Sequence, residues 1–166
     1  NLLGPLTTPA GAKRQLLGVF DGKWLTVIAD VLKKLGSEHV MVVHSEDGLD
    51  ELSIAVPTNV SELKNGLVTN YTITPEQFGF ERASMEPLKV KNPEESLSLV
   101  HSALSGKNNR ASDIVALNAG AAIYVSGTAG SLGDGVEMAR DAIGSGLALE
   151  KMKDFTDFTN QVAANG

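Results

Sequence analysis

Four consecutive apolar residues, Val40-Met41-Val42-Val43, stop abruptly at His44-Ser45-Glu46-Asp47-Gly48-Leu49-Asp50-Glu51-Leu52-Ser53, which places four carboxylates within six residues. A short apolar run of this kind reads as a buried strand, and Asp47-Gly48 reads as the turn that ends it. In open α/β sheets, ligands sit beyond the carboxyl ends of strands. An acidic cluster there is a candidate holder for a hard cation such as Mg²⁺. That ion takes oxygen ligands, keeps several waters, and borrows further ligands from substrate phosphates. Asp50 and Glu51 are adjacent, so on an extended backbone their side chains diverge. They suit two ions, or one ion and an ordered water, better than tight chelation of one. The same residues also read as a solvated acidic turn, and they lack the Gly-then-Glu register of a calcium loop. His44 is the one candidate base nearby; orienting the turn is its simpler role.

The surrounding periodicity points to a layered α/β architecture. Trp24, Val27, Ile28, Val31, Leu32 and Leu35 recur at helical spacing over 23–35, with Gly36 as the stop and Trp24 as a core or interface residue. A shorter helix is expected over 12–20 from Leu16, Leu17 and Phe20. Residues 1–11, with two Gly and two Pro, are expected as an ordered loop: a plain connection, or a pocket wall in which Gly4 lets a ligand near the backbone and Pro5 offers an apolar face. Asn65-Gly66 between the β-prone runs 58–63 and 67–74 predicts a hairpin. Pro75 to Gly79 opens a short helical turn, with Phe78 and Phe80 as core. Asn92 is the expected N-cap of a helix over 93–104 that half-buries His101. Residues 106–112 read as a polar loop before an Ala-rich helix to Val125, in which a buried Asn118 must find hydrogen-bond partners. The glycine-rich 127–135 segment lacks a P-loop ending and reads as a connection to two last helices, over 135–143 and 147–158.

Composition narrows the class. The 166 residues suffice for one domain with a core, and zero cysteines exclude disulfides and thiolate metal sites, as in a cytoplasmic protein. A net charge of −6 disfavours nucleic acid or an anionic membrane as the main partner. No apolar run approaches the roughly 20 residues that cross a bilayer. Beginning at Asn1 without Met, the chain is expected to be a fragment.

Taken together, Asn1-Leu-Leu-Gly-Pro-Leu-Thr-Thr-Pro9, His44-Ser-Glu-Asp-Gly-Leu-Asp-Glu51, Pro75-Glu-Gln-Phe-Gly79 and Leu117-Asn-Ala-Gly-Ala121 closely resemble, in collinear order, the later half of the anthranilate phosphoribosyltransferase family. The resemblance implies the nucleoside phosphorylase/phosphoribosyltransferase-like fold, with a mixed sheet flanked by helices. Residues 1–166 would be a partial α/β domain, without the N-terminal helical domain and the pyrophosphate loop. It further implies transfer of phosphoribosyl from phosphoribosyl pyrophosphate to anthranilate in tryptophan biosynthesis, a Mg²⁺ requirement and a homodimer. The family's metal-binding Asp-Glu falls on Asp50 and Glu51, and the Gly-Pro of its anthranilate channel on Gly4 and Pro5.

Three positions depart from the family pattern: Thr8 for Asn, Val56 for the Gly before Pro-Thr, and Gly120 for a second Ala. The glycine-rich pyrophosphate loop, the ribose-phosphate segments and the Arg associated with anthranilate lie upstream in the family and are absent here. A pyrimidine-nucleoside phosphorylase and a non-enzymatic nucleic-acid-binding relative share the expected fold. The acidic charge and the Asp50-Glu51 pair speak against the second, and Gly4-Pro5 together with that pair against the first.

Overall fold

The computed structural model describes residues 3–7, 10–107 and 109–165. Its central strand is the apolar run just described, β2 (His39–Ser45). The sheet has the order β1-β2-β3-β4, with β1 (Arg14–Gly18), β3 (Thr58–Lys64) and β4 (Leu67–Ile73). β1 runs parallel to β2, and β3 and β4 are antiparallel neighbours, so the sheet is mixed as expected. Helices cover both of its faces, which is why β2 is apolar at consecutive positions rather than alternating. Met41 and Val43 face a cluster that includes Leu117, Ala121 and Val136, while Val40 and Val42 face Ile28, Ala29 and Leu32. Fully burying each such large side chain contributes roughly 1.5–3 kcal/mol.

α2 (Leu25–Lys34) forms the second of these faces and carries the chain from β1 to β2. It ends as the sequence predicts. Gly36, at φ 83°, donates to Lys33 O, and Ser37 donates to Leu32 O, which satisfies two terminal carbonyls. Trp24 packs against this cluster, but Val27 and Leu35 face solvent, so the buried stripe is narrower than the spacing suggested. The hairpin closes through Asn65 (φ 52°) and Gly66 (φ 74°), the two left-handed residues of a tight primed turn. Thr74 and Gln77 cap each other's backbone around Pro75–Phe78, and Phe80 is buried.

On the first face lie α4 (Asn109–Ser126) and α5 (Leu132–Gly144), with α3 (Pro93–Leu104) and α6 (Leu147–Asn165) outside them. α3 starts at Asn92, whose side chain accepts from Glu95 N. α4 and α5 approach until a Cβ on Gly135 would lie 2.3 Å from Gly120 O, and one on Gly120 2.6 Å from the Val136 backbone. An Ala at Gly120 would therefore force these helices apart. Among the described residues no helix is long and apolar enough to cross a membrane.

Several expectations are corrected. Residues 14–18 are a strand, not a helix. Leu16 and Leu17 pack on opposite faces of the sheet, and parallel pairing with β2 outweighs the helical spacing of Leu16, Leu17 and Phe20. In place of a pure loop, Leu3–Leu6 forms one helical turn, α1, in which a proline near the start loses no hydrogen bond. α4 begins at Asn109, inside the expected 106–112 loop, and Ser112 Oγ donates to Ala103 O (2.7 Å). His101 is exposed rather than half-buried. α5 begins earlier than read, capped by Ser131, and α6 runs on to Asn165 with Phe155 and Phe158 exposed.

The sequence reading missed a buried polar network at the end of the sheet where β2 starts. Glu62 on β3 accepts from Tyr124 Oη (2.8 Å) and Tyr71 Oη (2.7 Å), and His39 Nε2 lies 2.7 Å from its Oε1. Lys64 Nζ donates to Tyr124 Oη at 2.9 Å. Burial opposes ionisation of Glu62, but the hydrogen bonds from Tyr71, His39 and Tyr124 outweigh it and hold its carboxyl below the ordinary value. Burial and the Glu62 charge push Tyr71 well up. A depressed folded-state value means that Glu62 stabilises the protein fully above about pH 4.3 and loses that contribution as pH falls through the depressed value. Glu62→Gln should therefore shrink the difference between urea midpoints at pH 7 and pH 3; an unchanged difference would contradict this.

Candidate active site

The residues after β2 form the loop 46–57, and its shape follows from hydrogen bonds on both sides of Asp50-Glu51. Ser45 N and Oγ both donate to Leu49 O (3.1 and 3.0 Å), and Gly48 N donates to Ser45 O (2.9 Å) with Gly48 at φ 87°. Ser53 Oγ donates to Asp47 Oδ2 (2.8 Å), and Ser53 N donates to Thr58 Oγ1 (3.1 Å). Burial works against the Asp47 charge, yet the hydrogen bonds from Ser45, Ser53 and the Leu49 amide prevail and lower its pKa. Leu52, Ser53 and Ile54 are buried, whereas Asp50 and Glu51 face solvent.

Gly18 and Asn118, from β1 and α4, hold the loop at Asp50 and Leu52. A Cβ at Gly18, the last residue of β1, would lie 1.5 Å from Asp50 O and 2.4 Å from Asp50 C, so the backbone of Asp50 rests directly on this glycine. From α4, Asn118 Oδ1 accepts from Leu52 N (2.9 Å) while its Nδ2 donates to Leu52 O (2.9 Å) and Ile114 O (3.0 Å). The hydrogen bonds expected of Asn118 are thus present. Gly18 was missed because its segment read as helix; a glycine inside an apolar strand is the signal that marks such an approach.

His44 Nδ1 donates to Val19 O at 2.8 Å, since a carbonyl can only accept. It ties β2 to the turn after β1 rather than bonding to the acidic turn it was expected to orient. Asp47 spends its lone pairs inside the loop. Asp50 and Glu51 differ: among the described residues neither carboxylate has a hydrogen-bond or ion-pair partner. No group of three or more ligating side chains gathers among those residues. Two free hard-oxygen donors fit Mg²⁺ in the manner where one or two carboxylates act with substrate phosphates, and do not make a self-sufficient cage.

Gly4 and Pro5 are not brought beside this pair. Leu6 and Thr7, next along the chain, share a cleft of about 290 Å³ with Lys13, Leu32, Leu35 and Ser37, near the start of β1. Gly4 is exposed, and a Cβ added there would meet nothing within 4 Å. The departure at Thr8, with Pro9, lies outside the described residues, and so does the side chain of Pro5. Val56 is half-buried in the loop.

The seating of Asp50 is testable by stability. Gly18→Ala should cost about 1–3 kcal/mol or more, as overpacking does, and speed amide exchange at Leu52 and Ser53. Gly4→Ala, with open space around it, should leave both unchanged. Equal stability of the two variants would contradict the close approach.

The chain is similar to known proteins over nearly its whole length. The family described as "Glycosyl transferase family, a/b domain" matches residues 1–149. The anthranilate phosphoribosyltransferase of Chromohalobacter salexigens is 57% identical over 163 residues, covering 98% of this chain and 47% of the relative. Among solved structures, the crystal structure of anthranilate phosphoribosyltransferase from Thermus thermophilus superposes with a TM-score of 0.85 at 42% identity, over 95% of this chain and 46% of that one. The Saccharomyces cerevisiae anthranilate phosphoribosyltransferase in complex with PRPP and Mg gives 0.79 at 26% identity, over 93% and 45%. The chain spans about half the length of the curated relatives it matches. With the acidic turn and its supports inside the matched span, the chain belongs to the glycosyl transferase family through its a/b domain.

Proposed function

We propose that this chain is the later part of an anthranilate phosphoribosyltransferase. It would transfer phosphoribosyl from phosphoribosyl pyrophosphate to anthranilate, giving N-(5'-phosphoribosyl)anthranilate and pyrophosphate in tryptophan biosynthesis. Residues 1–166 would form part of its α/β domain, the remainder of the protein supplying the helical domain, the pyrophosphate loop and the homodimer contacts. The observation that carries this reading is the unpartnered Asp50-Glu51 pair, held at the carboxyl end of the sheet in a chain with these relatives.

The chemistry suits what the chain offers. The anthranilate nitrogen forms a bond to the sugar C1 as the C1–oxygen bond to pyrophosphate breaks, and the nitrogen then releases a proton. Positive charge builds on the sugar and negative charge on the leaving oxygen. Mg²⁺, when bound, supplies Lewis-acid neutralisation of that leaving group. Asp50 and Glu51 would hold and orient it there. An aromatic amine is uncharged at neutral pH, so the demand on the protein is positioning rather than a strong base. Gly4 and Pro5 would line the anthranilate channel. We place the reaction in the cytoplasm, with no nucleic acid or membrane as partner.

In a protein carrying this chain and the rest of its relatives' length, Asp50→Ala and Glu51→Ala should each lower Mg²⁺-dependent pyrophosphate release by on the order of 10²-fold, equivalent to about 2.7 kcal/mol of barrier. Thermal stability should stay near that of the parent. Unchanged turnover at limiting Mg²⁺ would exclude the metal role, and phosphorolysis of uridine or thymidine would reassign the chain to the nucleoside phosphorylases.

A further inference from the structure

We infer that Asn118 is a positioning residue for the Asp50-Glu51 pair, acting through the backbone of Leu52; this rests on the reading of that pair as the Mg²⁺ site. Leu52 follows Glu51 directly and is 0% exposed, so its backbone amide and carbonyl cannot turn to water. The loop has left β2 and has not yet entered β3, so no strand is available to pair with it. The Asn118 side chain takes the place of a strand: its Oδ1 accepts from Leu52 N and its Nδ2 donates to Leu52 O, both at 2.9 Å. A third bond, Nδ2 to Ile114 O at 3.0 Å, fixes the amide against its own helix. The assignment of oxygen and nitrogen follows from the partners, one N–H and two carbonyls.

No other side chain fits this task. Aspartate accepts from the amide but has no hydrogen for the carbonyl, serine reaches with one atom, and glutamine is a methylene too long. Losing either bond leaves a buried backbone group unsatisfied. The opposite flank is tied by Ser45 to Leu49 O, and the underside rests on Gly18. Asn118 therefore ties the residue directly after Glu51 to another element; the next ties on that side, Ser53 N to Thr58 Oγ1 of β3 and Ala83 N to Ile54 O, act further along the loop. Two exposed carboxylates have no partner of their own to order them, so their separation and direction are inherited from this backbone. Partners bonded directly to metal ligands typically affect metal affinity 10–100-fold, and a tie one residue along the backbone acts on the same geometry.

The test uses the protein with its full relatives' length and Mn²⁺ as a paramagnetic stand-in for Mg²⁺. Free Mn²⁺ is measured by electron paramagnetic resonance in the presence of phosphoribosyl pyrophosphate. Asn118→Asp and Asn118→Ser should weaken Mn²⁺ binding 10–100-fold while the KM for anthranilate stays within about twofold. A merely structural residue would leave Mn²⁺ affinity alone or shift both quantities together, and either result overturns the inference. Should neither variant fold, the parent protein decides. Adding Mn²⁺ with phosphoribosyl pyrophosphate should slow amide exchange at Leu52 more than at residues of β3 and β4, because coupling between the tie and the metal is reciprocal. Equal slowing would overturn it. Asp50→Ala/Glu51→Ala measured alongside separates the two failures. If that double variant binds Mn²⁺ normally, the metal reading fails and takes the inference with it. If it does not, and the Asn118 variants bind normally, the inference alone fails.

Discussion

The carbonyl of Asp50 occupies the space that any side chain on Gly18 would need, and the candidate site is built from that contact. A loop leaving a strand end normally swings free. Here it is drawn back over the end of β1, where the absence of a single Cβ allows backbone to lie on backbone. Once Asp50 is seated, Leu52 is carried into the interior and meets Asn118, while Leu49 turns back to Ser45. Glu51 is left between these ties with its carboxylate facing outward. Packing beneath the loop, rather than any bond to the acids themselves, decides where the acids stand.

The two ends of the sheet treat carboxylates in opposite ways. Where β2 starts, Glu62 is enclosed and receives hydrogen bonds from two tyrosines and a histidine, so its carboxylate is satisfied within the protein. Where β2 ends, Asp50 and Glu51 have no such donors among the described residues. A buried charge without partners would be costly, so the first arrangement is one that folding can sustain alone. The second leaves two negative charges adjacent and uncompensated at the surface, which is the electrostatic state that a cation relieves.

Legibility in the sequence tracked the range of the interactions. β2, the Asn65-Gly66 turn, the Gly36 stop and the Asn92 cap are set by neighbours within a few residues, and they stand where the residue pattern puts them. The strand at 14–18 does not, because a parallel pairing with residues 39–43 is invisible to a local periodicity that also suits a helix. The acidic pair was readable from its place after a buried run. Its supports were not: Asn118 announced a need for partners, but nothing in the chain says that the partner is Leu52, 66 residues away. The Glu62 network escaped for the same reason, since His39, Tyr71 and Tyr124 converge only after the sheet and α4 have formed. Gly120 stood out only as a departure from a pattern; its partner Gly135, which with it sets how closely α4 and α5 approach, becomes visible once the helices pack.

Phosphoribosyl transfer to anthranilate is the proposed use of the exposed Asp50-Glu51 pair. Anthranilate is fluorescent, and its consumption reports that transfer directly. On adding phosphoribosyl pyrophosphate and Mg²⁺ to folded protein that carries this chain with the full length of its relatives, the fluorescence should fall, and chelating the Mg²⁺ should stop the fall. Anthranilate left unconsumed by that protein under those conditions would contradict the account.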